Sequence, residues 1–144
     1  MIRERRAVDL PGCVAALRAV HEADAYPLNW PADPVRWLDP PGLVAAWVAE
    51  SPDGTITGHV AIQAGELSRL FVTPAARRQS VGTALVDHAT AWAVERGIEL
   101  TLEVTGRADA VAFYAATGWQ HTHTTRANWT DPAGGPVHLR HYTR

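Results

Sequence analysis

From Leu70 to Leu85 the chain reads Leu-Phe-Val-Thr-Pro-Ala-Ala-Arg-Arg-Gln-Ser-Val-Gly-Thr-Ala-Leu: an apolar strand, a loop with two arginines, then the first turn of a helix. The first N–H groups of a helix have no partner inside it, and the aligned peptide dipoles make that end positive. Such a junction suits a pyrophosphate, and Arg77 and Arg78 add cationic donors. Ser80 supports a plainer reading, an ordinary helix N-cap with solvated arginines beside it. Gly82 opposes that reading. Glycine in a first helical turn costs roughly 0.5–1 kcal/mol relative to alanine, which makes sense where a ligand must approach the backbone.

Other reactive side chains are few. Cys13 is the one cysteine, which removes intrachain disulfides and Cys-rich zinc clusters. It falls in a first helix, distant in sequence from the anion loop, and reads as buried and inert rather than nucleophilic. His121-Thr-His123 places two imidazoles on one strand face, but no third ligand accompanies them, so no metal site is assigned. All 13 basic residues are arginine, so a phosphate loop ending in Gly-Lys and any lysine Schiff base are excluded. The net charge is −2 with no basic tract, which argues against nucleic acid as a partner. Asp9, Pro11 and Arg18 interrupt the one N-terminal stretch that imitates a secretory signal, and no window is long and apolar enough to cross a membrane. The expected location is the cytoplasm.

The elements that must position these groups follow from hydrophobic period, which alternates between about two and about 3.6. Strands are expected at Ile2–Val8, Leu43–Glu50, Thr55–Ala64, Glu66–Val72, Ile98–Val104, Trp119–Trp129 and Val137–Tyr142. Helices are expected at Leu10–His21, capped by Asp9, at Val81–Arg96, closed by Gly97, and at Ala108–Thr117, closed by Gly118. Glu22 to Pro41 holds five prolines, which forbid a long helix and leave room for one turn near Pro34–Trp37. At 144 residues, with no linker or repeat, one α/β domain spanning 1–144 is expected.

The Arg77-to-Thr83 loop resembles motif A of the GCN5-related N-acetyltransferases (GNAT), Arg/Gln-x-x-Gly-x-Gly/Ala, with Arg77 and Gly82 in register. Leu102-Glu-Val104 and Ala110-Val-Ala-Phe-Tyr-Ala-Ala-Thr-Gly-Trp119 are similar to the family's motif B, with Tyr114 four residues before the Gly-aromatic pair. The resemblance spans essentially the whole chain and is weakest from Glu22 to Pro41. It implies a mixed, mostly antiparallel sheet of about six or seven strands flanked by about four helices. Two residues depart from the pattern. Ser80 replaces the usual first glycine, and Arg107 replaces a frequent asparagine, exchanging a neutral contact near the pantetheine arm for a cation near phosphate.

What the resemblance implies is transfer of an acetyl group from acetyl-coenzyme A directly to an amine of a small molecule or peptide. Backbone groups of Leu70, Phe71 and Val72 would hold the pantetheine arm, and Arg77, Arg78, Gln79, Ser80, Val81, Gly82, Thr83 and Arg107 the rest of the cofactor. Tyr114 would protonate the leaving sulfur, since a phenol stays protonated at neutral pH. Glu66 at the start of the fourth long strand is the first choice of base, with Glu103, His59 and ordered water as alternatives. Asp24, Tyr26, Trp30 and Asp33, with Trp37, could receive a cationic amine, or could simply pack a lid. Self-association as a homodimer is compatible with this reading. The rival readings are a longer acyl group, a non-catalytic domain that binds acyl-coenzyme A or a partner, and a nucleotide-binding module using the same helix end.

Overall fold

The computed structural model describes all residues, Met1–Arg144. Seven strands form one sheet: β1 (Ile2–Glu4), β2 (Leu43–Glu50), β3 (Ile56–Gln63), β4 (Glu66–Val72), β5 (Thr101–Thr105), β6 (Gln120–Thr130) and β7 (Pro136–Thr143). Four helices flank it: α1 (Leu10–Asp24), α2 (Pro34–Leu38), α3 (Val81–Glu95) and α4 (Ala108–Ala116). The strand order is β1-β2-β3-β4-β5-β7-β6, and every neighbouring pair is antiparallel except β4 with β5. The mixed, mostly antiparallel architecture is the one expected.

Alternation along the strands sorts side chains onto two cores. Trp47, Val60, Ile62, Leu67 and Leu102 pack beneath α3 and α4 with Leu85, Ala89 and Tyr114. Val48 and Phe71 face the other way and pack beneath α1 and α2 with Leu17, Val20 and Leu38. The apolar runs of β2 and β3 are long because a strand covered on both faces needs apolar residues at every position.

Three expected boundaries shift for identifiable reasons. β1 stops at Glu4 because a 3-10 turn, Ala7–Asp9, follows at once. Asp9 does not cap α1. Its backbone is already helical, and its carboxylate turns back to take hydrogen bonds from the Arg6 N–H (2.7 Å) and from both ends of the Arg3 guanidinium (2.8 and 2.9 Å). Those bonds from Arg3 and Arg6 hold its carboxyl well below the usual carboxylate range. β5 begins at Thr101 rather than Ile98, because the Ile98 N–H is drawn to the Ala93 carbonyl at the end of α3. Gly97 and Gly118 close α3 and α4 in the left-handed region as expected, with φ of +68° and +89°.

Two features place the site. β4 and β5 pair only at Glu66 opposite Thr101 and then part, which leaves the rest of β4 open on that side. α3 seats its first turn close to β3 because residue 58 is glycine. A Cβ there would meet the Leu85 Cδ1 at 2.8 Å, the Val81 Cγ1 at 3.2 Å and the Phe71 carbonyl at 3.3 Å. Gly58→Ala is expected to destabilise the protein by about 1–3 kcal/mol through overpacking beneath α3. Denaturant unfolding that gave the wild-type midpoint would show that α3 is not held there by contact.

Candidate active site

The loop between β4 and α3 leaves its amides free. A 3-10 turn, Pro74–Ala76, ends in hydrogen bonds from Ala76 and Arg77, and the next backbone donor with a partner is Ala84, which bonds to the Ser80 carbonyl. The N–H groups of Arg78, Gln79, Ser80, Val81, Gly82 and Thr83 have no acceptor in the chain, and no side chain caps α3. Ser80 therefore does not act as the expected side-chain cap. It sits at φ +60° and Arg78 at φ +65°, left-handed conformations that favour glycine and from which backbone anion nests are built. The glycine usual in motif A at position 80 would take this conformation without strain.

A groove of about 370 Å³ opens beside these amides, lined by Val72, Ala76, Arg77, Arg78, Ser80, Val81, Gly82, Thr83 and Phe113. Gly82 forms its floor. A Cβ there would make only ordinary contacts, 3.5 Å to the Phe113 ring and 3.7 Å to Val72, so the fold itself does not demand glycine. What its absent side chain keeps open is the groove. Unpaired amides, the positive end of α3 and the unpaired guanidinium of Arg78 fit a diphosphate. Ala76 and Phe113 also line the groove, and no local signal in the sequence marks either for it.

Other expected cofactor residues are placed differently. Arg77 spends its guanidinium on the Asp24 carboxylate and the Val72 carbonyl, tying the end of α1 to the loop. Arg107 lies outside the groove. It pairs with Asp109 (2.8 Å), reaches the Asp24 carbonyl and stands 5.6 Å from the Tyr26 ring centroid, so it supplies no cation to the phosphate groove. The Phe71 side chain is buried against His59 and does not line the groove.

Among the expected acceptor residues, Tyr26 is central: it packs on Trp37 and faces Arg107. Trp30 instead folds back over α1, against His21 and Arg18. Asp33 caps α2 by accepting from the Arg36 N–H (3.1 Å), and Asp24 is held by Arg77. Neither carboxylate is free to receive an amine alone.

Tyr114 is buried among Phe113, Trp119 and Tyr142, and its hydroxyl has no hydrogen-bond partner in the chain. Burial, with Tyr26 adding, holds this phenol above its ordinary range. Glu66 is partly buried. Loss of water, then the neighbouring Glu103, raises its carboxyl above the usual value, against an opposing pull from His141. Cys13 is fully buried and burial pushes its thiol up to about 11, so it is not a nucleophile.

His59 is not an available base. Its Nε2 lies 3.1 Å from an Arg5 guanidinium nitrogen, which can only donate, so Nε2 accepts and the proton sits on Nδ1. Nδ1–H donates to the Arg69 carbonyl at 2.8 Å. The neutral imidazole is thereby satisfied at both ends. His121 and His123 also differ from expectation. A register shift between them pairs His121 with Tyr142 and His123 with His141, adjacent residues of β7, so the two imidazoles lie on opposite faces.

The Acetyltransferase (GNAT) family model matches residues 13–119. No curated relative matches the chain. Among solved structures, the ribosomal-protein-S18-alanine N-acetyltransferase of Escherichia coli is similar at 20% identity, covering 99% of this chain and 92% of that one, with a TM-score of 0.78. Arabidopsis thaliana NAA60 in complex with a bisubstrate analogue is similar at 14% identity, covering 100% and 96%, with a TM-score of 0.79. The apo form of YjaB from Escherichia coli is 27% identical, covering 99% and 95%, with a TM-score of 0.70. At identities this low, the first two are likenesses of fold.

Burial, against the bond to the Arg69 carbonyl, pushes the His59 imidazole down to about 4 from its ordinary 6.5. The unfolded chain then binds more protons between those values, so His59 makes stability fall as pH drops through that window, by up to about 1.4 kcal/mol per pH unit. Denaturant titrations should show a shallower acid slope in His59→Gln than in the wild type. Equal slopes would show that the imidazole is not held neutral.

Proposed function

Because the chain belongs to the Acetyltransferase (GNAT) family, we propose that it transfers an acetyl group from acetyl-coenzyme A directly to an amine of a small molecule or peptide, in the cytoplasm and through a ternary complex. The observation that carries this reading is the run of unpaired amides from Arg78 to Thr83 at the α3 N-terminus, beside a groove floored by Gly82. When bound, acetyl-coenzyme A supplies an acetyl thioester.

The chain's own residues then divide the work. The amides of Arg78 to Thr83 hold the diphosphate. The β4 edge that parts from β5 offers the backbone of Leu70, Phe71 and Val72 to the pantetheine arm and to the thioester oxygen. Tyr114 keeps its proton at neutral pH and gives it to the departing sulfur. Its hydroxyl, with no partner in the chain, is free to turn to the sulfur, and that supports the role. Glu66 takes the proton from the amine, since a carboxylate lifted above its usual range is a better base near neutrality, with Glu103 beside it as the alternative.

Gly82→Trp should weaken coenzyme A binding at least tenfold in calorimetry, because the indole enters the groove from a position where the fold accommodates a Cβ at ordinary contact distance. Wild-type affinity would remove the groove from the reading. Tyr114→Phe should lower kcat by about 10²-fold, the scale of a positioned acid, with cofactor affinity unchanged. A wild-type rate of thiol release would take Tyr114 out of the mechanism. Cofactor binding with no turnover across a broad amine panel would favour a non-catalytic acyl-coenzyme-A-binding domain instead.

A further inference from the structure

Most of the arginines either meet a carboxylate within 4.0 Å or stand exposed, and only Arg69 and Arg140 do neither. Arg140 donates to the Tyr142 hydroxyl on β7. Arg69 is the residue at which β4 breaks its register. The pairing jumps from His59–Phe71 to Ala61–Ser68, so Arg69 and Leu70 together oppose Val60, and Arg69 sits at φ +54°. The bulge sends its side chain under α2, where the guanidinium lies 4.0 Å above the Trp37 ring centroid and Nε donates to the Trp37 carbonyl at 3.1 Å. Its two terminal nitrogens have no acceptor in the chain. Tyr26 lies within electrostatic reach of both Arg69 and Tyr114.

A partly desolvated guanidinium with no carboxylate is an uncompensated charge, and an incoming anion is the partner that offsets it. The planar fork left free suits a carboxylate taken by two parallel bonds. On the same face of β4, Glu66 and Ser68 precede Arg69, since Leu67 between them points into the α3 core. The Ser68 hydroxyl is enclosed and has no partner. One face of one strand thus presents a carboxylate at one end and an unpaired guanidinium at the other.

Resting on the acetyl-transfer reading, we propose that Arg69 is the anion subsite of the acceptor cleft and that the acceptor is an amine bearing a carboxylate, of the amino-acid type. Its carboxylate seats on Arg69 beside Tyr26, and its amine extends toward Glu66. In the reaction, the N–C(acyl) bond forms as the C–S bond breaks. The amine proton goes to the base, and the sulfur leaves with a proton from Tyr114.

The test compares α-amino acids with the amines formed by their decarboxylation, pair by pair, following thiol release by wild type, Arg69→Gln and Arg69→Lys. The expected result is a preference for the amino acid of tenfold or more in kcat/KM, expressed in KM. That ratio should collapse toward one in Arg69→Gln and survive in part in Arg69→Lys. A ratio near one in the wild type, or one preserved in Arg69→Gln, overturns the proposal and leaves Arg69 as a clamp for α2. Calorimetry tests the subsite without turnover, using N-acetyl amino acids against N-alkylacetamides in the presence of coenzyme A. Carboxylate-dependent binding that Arg69→Gln abolishes supports the subsite even if no amine is acetylated, a failure that would fall on the acetyl-transfer reading alone. No carboxylate dependence overturns the subsite.

Discussion

A helix that begins in open groove rather than against a capping side chain leaves its first amides with nothing to bond, and here that debt is concentrated in one place. From Arg78 to Thr83 the N–H groups find no acceptor in the chain, and two of these residues, Arg78 and Ser80, are left-handed. Unpaired backbone donors are rarely tolerated unless water or a ligand satisfies them. The rest of the molecule serves that arrangement. Gly58 lets α3 come close to the sheet, Arg77 ties the loop to the end of α1 through Asp24, and Gly82 leaves the groove floor bare.

The second constraint lies in β4. It parts from β5 after Glu66, and the bulge at Arg69, further along the same strand, redirects a side chain. The carbonyl that the bulge turns out is taken by His59, and Arg5 joins the same imidazole to the Leu38 carbonyl and the Asp39 carboxylate at the end of α2. The neutral histidine is therefore a brace between β4 and the end of α2. That placement explains why a buried polar group is retained in an otherwise apolar core.

Much of this was legible in the sequence because it rests on period and composition. The strand–loop–helix from Leu70 to Leu85, the helix-closing glycines 97 and 118 and the seven strands all follow from local rules. What was not legible depends on partners far along the chain. Nothing local marks Arg69 as a bulge, since arginine does not favour positive φ, and nothing local tells that Arg77 will face Asp24 rather than open groove. Asp9 looked like a cap because aspartate often is one, yet Arg3 competes for its carboxylate with a two-pronged bond. His121 and His123 looked co-facial by alternation, and a single extra residue in β6 cancels that pattern. Among the acceptor candidates, local composition could not tell that Trp30 folds back over α1 or that Asp24 and Asp33 are held by Arg77 and the start of α2, while Tyr26 packs on Trp37 and faces Arg107.

The most direct measurement is a titration of the ¹⁵N-labelled protein with coenzyme A, followed amide by amide. The account predicts that the largest shifts fall on Arg78 to Thr83 and on the open edge of β4, with little change in β6 and β7. Shifts centred elsewhere, with the amides of that loop unmoved at saturation, would contradict it.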